Sequence, residues 1–497
     1  MASLSTTTTP TTTTTTTTKS LSSTSHNPLW SKPSQLSAFR SNQTRHIAPK
    51  ISCKVAKSDD QQSQTPKTTN VETSKFDRRN MLIGLGGLYG AATTLSGGSA
   101  AIAKPTAPDV TECGLSEADD GHGNNPITLD CCPSGFGQAV DFKLPNPYSE
   151  PRKVNIRPAA HLVNNDYIQK YWKALALMKA LPDSDPRSFK QQADVHCAYC
   201  NGGYHQVGLP DLDYQIHASW LFFPFHRAYL YFYEKILGKL IDDPTFKIPY
   251  WNWDHPDGMV MPEFFNIPNS PFFDPIRDQK HLPPTVMDLS YDGPTKEHNL
   301  PYNDQIAQNL TIMHRQMITN AKTRVMFLGG PFRSCDDPPS EPGSLEVQPH
   351  GTIHNWVGNP QPNTLRWEDM GNFYSAGRDP IFYSHHANVD RTWSIWKTLS
   401  HRNRDFKDKD FLNSYFYFYD ENAQLVRIYV RDCLDTVKMG YDYQPMDLPW
   451  LKSRPTRHGH GHQRGHGHGR GHDHGREKCC CSRNYSHTIS QFPKIPR

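Results

Sequence analysis

SWLFFPFHRAYLYFYEKILGKLI, residues 219–241, decides how the rest of the chain is read. The run is apolar nearly all round, as a helix buried on every side must be. Pro224 fits its first turn, where a missing N–H is no loss. His226 therefore sits where water is excluded. His217 lies nine residues earlier, about 900° around a helix turning ~100° per residue. The two rings can meet at one point only if His217 precedes the helix proper. Just upstream, HCAYC at 196–200 adds His196.

Working outward, His350 and His354 in HGTIHNWVG (350–358) are four apart and would share one helix face. His385 and His386 belong to another aromatic, helix-like run, DPIFYSHHANVDRTWSIWKTL (379–399). Burying that much imidazole without partners is costly, and metal ligation removes the cost. All-imidazole ligation suits copper, zinc, nickel or iron. A hydrolytic zinc site needs a nearby carboxylate base, and no H-E-x-x-H occurs. Two three-histidine sites favour a copper pair that handles O2. Asp390, four residues after His386, has two readings: an outer partner that orients the metal site, or an ion pair with Arg391 or another base.

Helical spacing also appears over 164–183, with Asn at its start, and over 303–324. Tyr415 to Asp420 and Leu425 to Tyr429 read as strands paired around Glu421-Asn422. Residues 254–302 and 329–349 are Pro-rich loops, and 105–160 is rich in Pro, Gly and Asp. The expected fold is mainly α: a helical bundle core wrapped in long disulfide-tied loops with a few short strands, one domain over 104–445.

The chain has 497 residues and a net charge of +4, carried largely by the termini and uninformative about partners. It shows no nucleic-acid motif. The start is Ser/Thr-rich and basic, with no acidic residue before Asp59, the composition of an organelle transit peptide (1–75). Arg78-Arg79, a glycine-rich apolar run and Ala101-Ile102-Ala103 then describe a twin-arginine export signal (76–103). The span is also about long enough for a membrane helix, but its glycines and A-x-A ending favour cleavage, leaving no stable membrane span in the mature protein. A transit peptide followed by an export signal implies the chloroplast and then the thylakoid lumen. An oxidising lumen permits disulfides. Adjacent Cys131 and Cys132 would bridge to Cys113 and Cys197, in an order the sequence leaves open.

HCAYCNGGYHQVG, QIHASWLFFPFHRAYLYFYEKILG, PYWNWDHPDGM, HGTIHNWVG and GNFYSAGRDPIFYSHHANVDRTW together resemble the plant polyphenol oxidases. These are catechol oxidases of the tyrosinase and hemocyanin group, and the likeness runs over roughly 74–456. It implies a four-helix bundle core holding a binuclear type 3 copper centre. His196, His217 and His226 would bind the first copper; His350, His354 and His386 the second, with His385 a neighbour. It further implies a thioether between Cys200 and His217, and disulfides Cys113–Cys132 and Cys131–Cys197. Phe373 would be an aromatic gate over the second copper. Glu346 would hold a water beside the metal pair, and Tyr441 and Tyr443 would close the domain against Arg157.

The implied reaction oxidises ortho-diphenols to ortho-quinones while O2 is reduced to water. Gly351 follows the first histidine of the second site, where hydroxylating relatives often carry Asn, so monophenol hydroxylation should be weak. Alternatives sharing these motifs are a specialised phenolic oxidase of pigment or lignan biosynthesis and a hemocyanin-like O2 carrier. Small phenols are the expected partners; the oligomeric state is not legible. After the DLPWL segment, 446–456 would begin a linker. Relatives then continue into a β-rich shielding domain, where this chain has a His/Gly-rich low-complexity tail, 457–497. The tail reads either as a weak metal binder or as disordered or misassembled sequence, and without a shield the enzyme would need no activation.

Overall fold

Asn164 opens the first helix, α1 (Asn165–Lys179), by accepting the Tyr167 N–H at 2.9 Å. Tyr171, Ala174, Leu175 and Met178 recur at helical spacing and form its buried stripe. The computed structural model describes residues 104–455 apart from 119–126, 134–136, 146–153, 295–299, 338–340 and 361–366. The expected transit peptide, export signal and His/Gly tail lie outside the described residues.

α2 (Phe189–Cys200) was not among the helices expected from periodicity. It buries Gln191, Gln192 and Asp194 together with His196, so its pattern carries no clean apolar stripe. α3 (Phe222–Leu240) is buried almost all round, with Pro224 in its first turn and His217 ahead of it, as its composition requires. The expected helix over 303–324 is divided. α4 (Tyr302–His314) runs into a π turn over Arg315–Thr319, and Thr323 then caps a separate α5 (Arg324–Leu328). α6 (Thr352–Val357) follows a turn over Glu346–Gly351 that is irregular at Gln348. α7 (Ile381–Leu399) begins where the Asp379 carboxylate accepts the Ile381 N–H at 2.9 Å, and α8 (Lys409–Asn413) is short.

The helices are the main architecture, with α3 packed against α1 and α7, and α1 against α2. Short strands brace the loops. Tyr415–Tyr419 pairs antiparallel with Leu425–Tyr429, as expected, and Val140–Asp141 joins the latter in parallel. Disulfides Cys113–Cys132 and Cys131–Cys197 tie the N-terminal loops to one another and to α2. The segment expected to begin a linker is packed instead: Trp450 is fully buried and donates its indole N–H to Asp254 at 3.0 Å.

An ion-pair network locks α3 to α7. Glu234 on α3 accepts two bonds from Arg157, at 2.7 and 2.9 Å, and the Ile248 N–H at 3.0 Å. Asp390 on α7 accepts from Arg227 at 2.5 Å, Arg157 at 3.1 Å, Tyr441 at 2.6 Å and also Tyr443. Of the two readings of Asp390, the ion pair holds, though not with Arg391, which pairs with Asp254 at 3.0 and 3.2 Å. Two fully buried guanidiniums need counter-charge, and Asp390 supplies it. Tyr441–Tyr443 also runs parallel to Asn155–Arg157, and Arg157 lies 4.0 Å over the Tyr441 ring.

Candidate metal centre

Each histidine of the two clusters is placed by a different local device. His196 is on α2, one turn before its end at Cys200. His217 precedes α3, next to Ala218, whose backbone takes a positive φ of 56°, and His226 follows in the first turns of α3. His350 belongs to the irregular turn and His354 to α6, while His385 and His386 are adjacent on α7. The ligand atoms of His196, His217 and His226 all lie within 4.8 Å of one another, as do those of His350, His354, His385 and His386. All seven rings are buried.

The clusters face each other. His226 and His386 stack with ring centroids 4.2 Å apart, and His217 and His350 stand at 6.1 Å. Four rings are aimed by backbone carbonyls through Nδ1: His196 to Phe373 at 2.7 Å, His226 to Phe222 at 2.8 Å, His350 to Glu346 at 2.8 Å and His354 to Met370 at 2.5 Å. A carbonyl at Nδ1 fixes the proton there and frees Nε2 as a donor to metal. The Nε2 atoms of His196, His226 and His350 indeed have no partner among the described residues, nor has either nitrogen of His217. The Nε2 atoms of His354 and His386 converge to 3.1 Å.

Burial holds every one of these imidazoles neutral. It lowers His196 to about 3 and His354 to about 4, and the other five also fall below the usual histidine range. Neutral, unpartnered nitrogens converging in two groups fit two soft-to-borderline cations with no carboxylate in either set. Two copper ions suit this donor set. His385 is also buried with both nitrogens unpartnered, and its ring stacks on His350 at 5.4 Å.

Phe373 is placed differently from the expectation of a gate over the second cluster. Its ring stacks on His217 at 4.5 Å and stands 6.2 Å from His196, so it covers the first cluster. The physical reason is local: its own carbonyl is held by His196, which draws the residue to α2. Glu346 lies between the groups. Its carbonyl holds His350, while Oε1 accepts the Ala218 N–H at 2.5 Å beside His217. Oε2 has no partner, and burial pushes the carboxyl up to about 8. Cys200, at the end of α2, is buried with a thiol pushed well up by burial, and its carbonyl accepts from Gln215 at 2.8 Å. Sequence reasoning missed the carbonyl anchors at Met370, Phe222 and Phe373, for which residue types carry no signal.

Residues 186–399 match the common central domain of tyrosinase, and 405–456 match the polyphenol oxidase middle domain. A chloroplastic polyphenol oxidase of Malus domestica is 54% identical over 414 residues, 83% of this chain and 66% of that protein. The chloroplastic (+)-larreatricin hydroxylase of Larrea tridentata is 50% identical over 432 residues, 86% of this chain and 69% of that protein. The crystal structure of Grenache (Vitis vinifera) polyphenol oxidase superposes with a TM-score of 0.66 at 52% identity, covering 70% of this chain and all of that one. This chain thus spans about two thirds of the length of the curated relatives it matches. Motif, domain and fold agree, and the chain belongs to the plant polyphenol oxidases of the tyrosinase family.

Proposed function

We propose that this protein oxidises ortho-diphenols to ortho-quinones, with O2 as the electron acceptor. The observation that carries the reading is the pair of facing clusters of neutral imidazoles, in which the Nε2 atoms of His196, His217, His226 and His350 lack partners. In this reading His196, His217 and His226 hold one copper, and His350, His354 and His386 the other. The 3.1 Å approach of His354 to His386 favours His386 over His385 as the third ligand of its set. The ligand-bearing α2, α3, α6 and α7 would be the four helices of the bundle. The copper pair supplies two-electron chemistry towards O2 and a Lewis-acid position for phenolate.

The chain's own residues do the rest. Carbonyls at Nδ1 hold four rings at fixed angles, which limits reorganisation as electrons move. Phe222, 4.7 Å from both His226 and His350, helps to keep water from the clusters. The half-buried Phe373 ring offers an aromatic face to an incoming phenol. The unpartnered Oε2 of Glu346 can hold a water or a substrate proton between the clusters. A thioether from Cys200 to His217 would fix the one ring of the six proposed ligands that has no hydrogen bond at either nitrogen. It would show as a loss of two hydrogens on the joined peptides.

The test is O2 uptake by the copper-loaded protein across a panel of mono- and diphenols, with metal analysis. Two coppers per chain and rapid catechol turnover are expected, with slow tyramine or tyrosine turnover because Gly351 follows His350. Copper binding without turnover of any diphenol would refute the reading. A specialised phenolic oxidase is the second reading, favoured by the likeness to a larreatricin hydroxylase; a strong preference for one complex phenol in the panel would select it. The chloroplastic names of relatives support a plastid address, and the twin-arginine stretch extends this to the thylakoid lumen. Among the described residues no helix is long and apolar enough to cross a membrane.

A further inference from the structure

Outside the two clusters, His161, His255 and Asp257 also bring their ligand atoms within 4.8 Å of one another. Backbone bonds bring these distant segments together. The Ala160 N–H donates to Tyr250 and the Tyr250 N–H to Pro158, each at 2.9 Å. This sets the turn Ala160–Leu162 against the turn Pro256–Gly258. The His161 and His255 rings lie within 11° of parallel, centroids 6.3 Å apart, with Asp257 Oδ2 3.7 Å from His255 Nδ1. Ligands about 2.1 Å from a shared tetrahedral ion stand about 3.4 Å apart, close to that spacing, and an ion taking the Nδ1 lone pair would displace the Asp257 N–H that His255 now accepts at 3.3 Å.

Both ring nitrogens of His161 are shielded from solvent and lack a hydrogen-bond partner, a state that buried polar groups rarely tolerate. Burial and the neighbouring His255 keep this imidazole on the neutral side, ready to donate a lone pair. The nearby Arg391 does not repel a cation at full strength, because Asp254 neutralises it. Asp257 is 72% exposed, so an ion can enter from solvent. We propose that His161, His255 and Asp257 form a structural site for a divalent transition-metal ion, zinc(II) or copper(II), separate from the binuclear centre. Two imidazoles and a carboxylate suit such ions, whereas calcium and magnesium prefer all-oxygen sets. The ion would clamp the segment after Arg157 to the loop that carries Asp254.

The test titrates Zn2+ into the full-length, copper-loaded protein and follows its unfolding temperature. An ion bound only to the folded state should raise it by about 4 °C at a hundredfold excess over Kd. The rise should vanish in both His255→Gln and Asp257→Asn, with catechol turnover unchanged. Zinc-edge anomalous density between the two rings would place the ion. The His-rich tail is identical in every variant, so zinc held there cancels in the comparison. No zinc-dependent rise, or one that survives both substitutions, overturns the proposal, and neither outcome depends on the oxidase reading.

Discussion

Asp390→Asn tests what holds the ligand-bearing helices together. The Asp390 side chain is almost fully buried, and four donors from three parts of the chain converge on it. Asn keeps the shape but removes the charge, leaving Arg227 without an acidic partner; Arg157 retains Glu234. Breaking a buried pair from one side costs about 3–5 kcal/mol. A catalytic unit of about 340 residues unfolds with an entropy of about 0.7 kcal/mol/K, so the melting temperature should fall by about 4–7 °C. The assay is thermal unfolding of wild type and variant at equal copper loading, with copper content measured alongside. Arg227→Met in the Asp390→Asn background should recover part of the loss, because the stranded charge is then gone. A variant that melts like wild type but loses copper would refute this account. It would mean that Asp390 serves His386 rather than the arginines.

His226→Ala should lower bound copper from two per chain towards one and abolish catechol oxidation, as read by metal analysis and O2 uptake. Phe373→Ala removes a ring contact worth about 1 kcal/mol, so KM for catechol should rise about fivefold with copper content unchanged. Loss of the Cys131–Cys197 bridge, which closes a 66-residue separation, should cost about 4 kcal/mol by the loop-entropy estimate, measured by denaturant unfolding of a double Ser variant. Burial, with Asp274 and Asp379 nearby, pushes Asp369 up to about 8. A carboxyl raised above its unfolded value near 3.9 holds a proton in the fold. Its contribution to stability is therefore lost as pH climbs from about 4 to about 8. Asp369→Asn should raise the melting temperature at pH 8 relative to wild type, and change it little at pH 4.

Much of the site was legible because burial and chemistry conflict visibly in the sequence. Histidines inside the aromatic runs of α3 and α7 mark themselves, and a nine-residue spacing forced His217 outside its helix. The strand pair at 415–429 showed in its alternation. α2 escaped because a helix that buries Gln192, Asp194 and His196 has no apolar period; its signal was the cap, with Ser188 accepting the Gln191 N–H at 3.2 Å. The break after α4 and the partners of Asp390 escaped for another reason. A π turn and a choice among arginines are settled by tertiary packing, which spacing does not encode. Phe373 lay over the other cluster because a backbone carbonyl placed it, and backbone contacts have no letter in the sequence.

That backbone contact reaches further. Met370 and Phe373 lie three residues apart on one loop, and their carbonyls hold His354 of one cluster and His196 of the other. The loop therefore acts as a ruler between the two metal positions. Its main chain has a fixed length to keep, while the Phe373 side chain is free to differ as it stacks on His217. Exchanging that ring therefore need not alter the spacing between the metals, whereas inserting or deleting one residue between 370 and 373 would disturb both clusters at once.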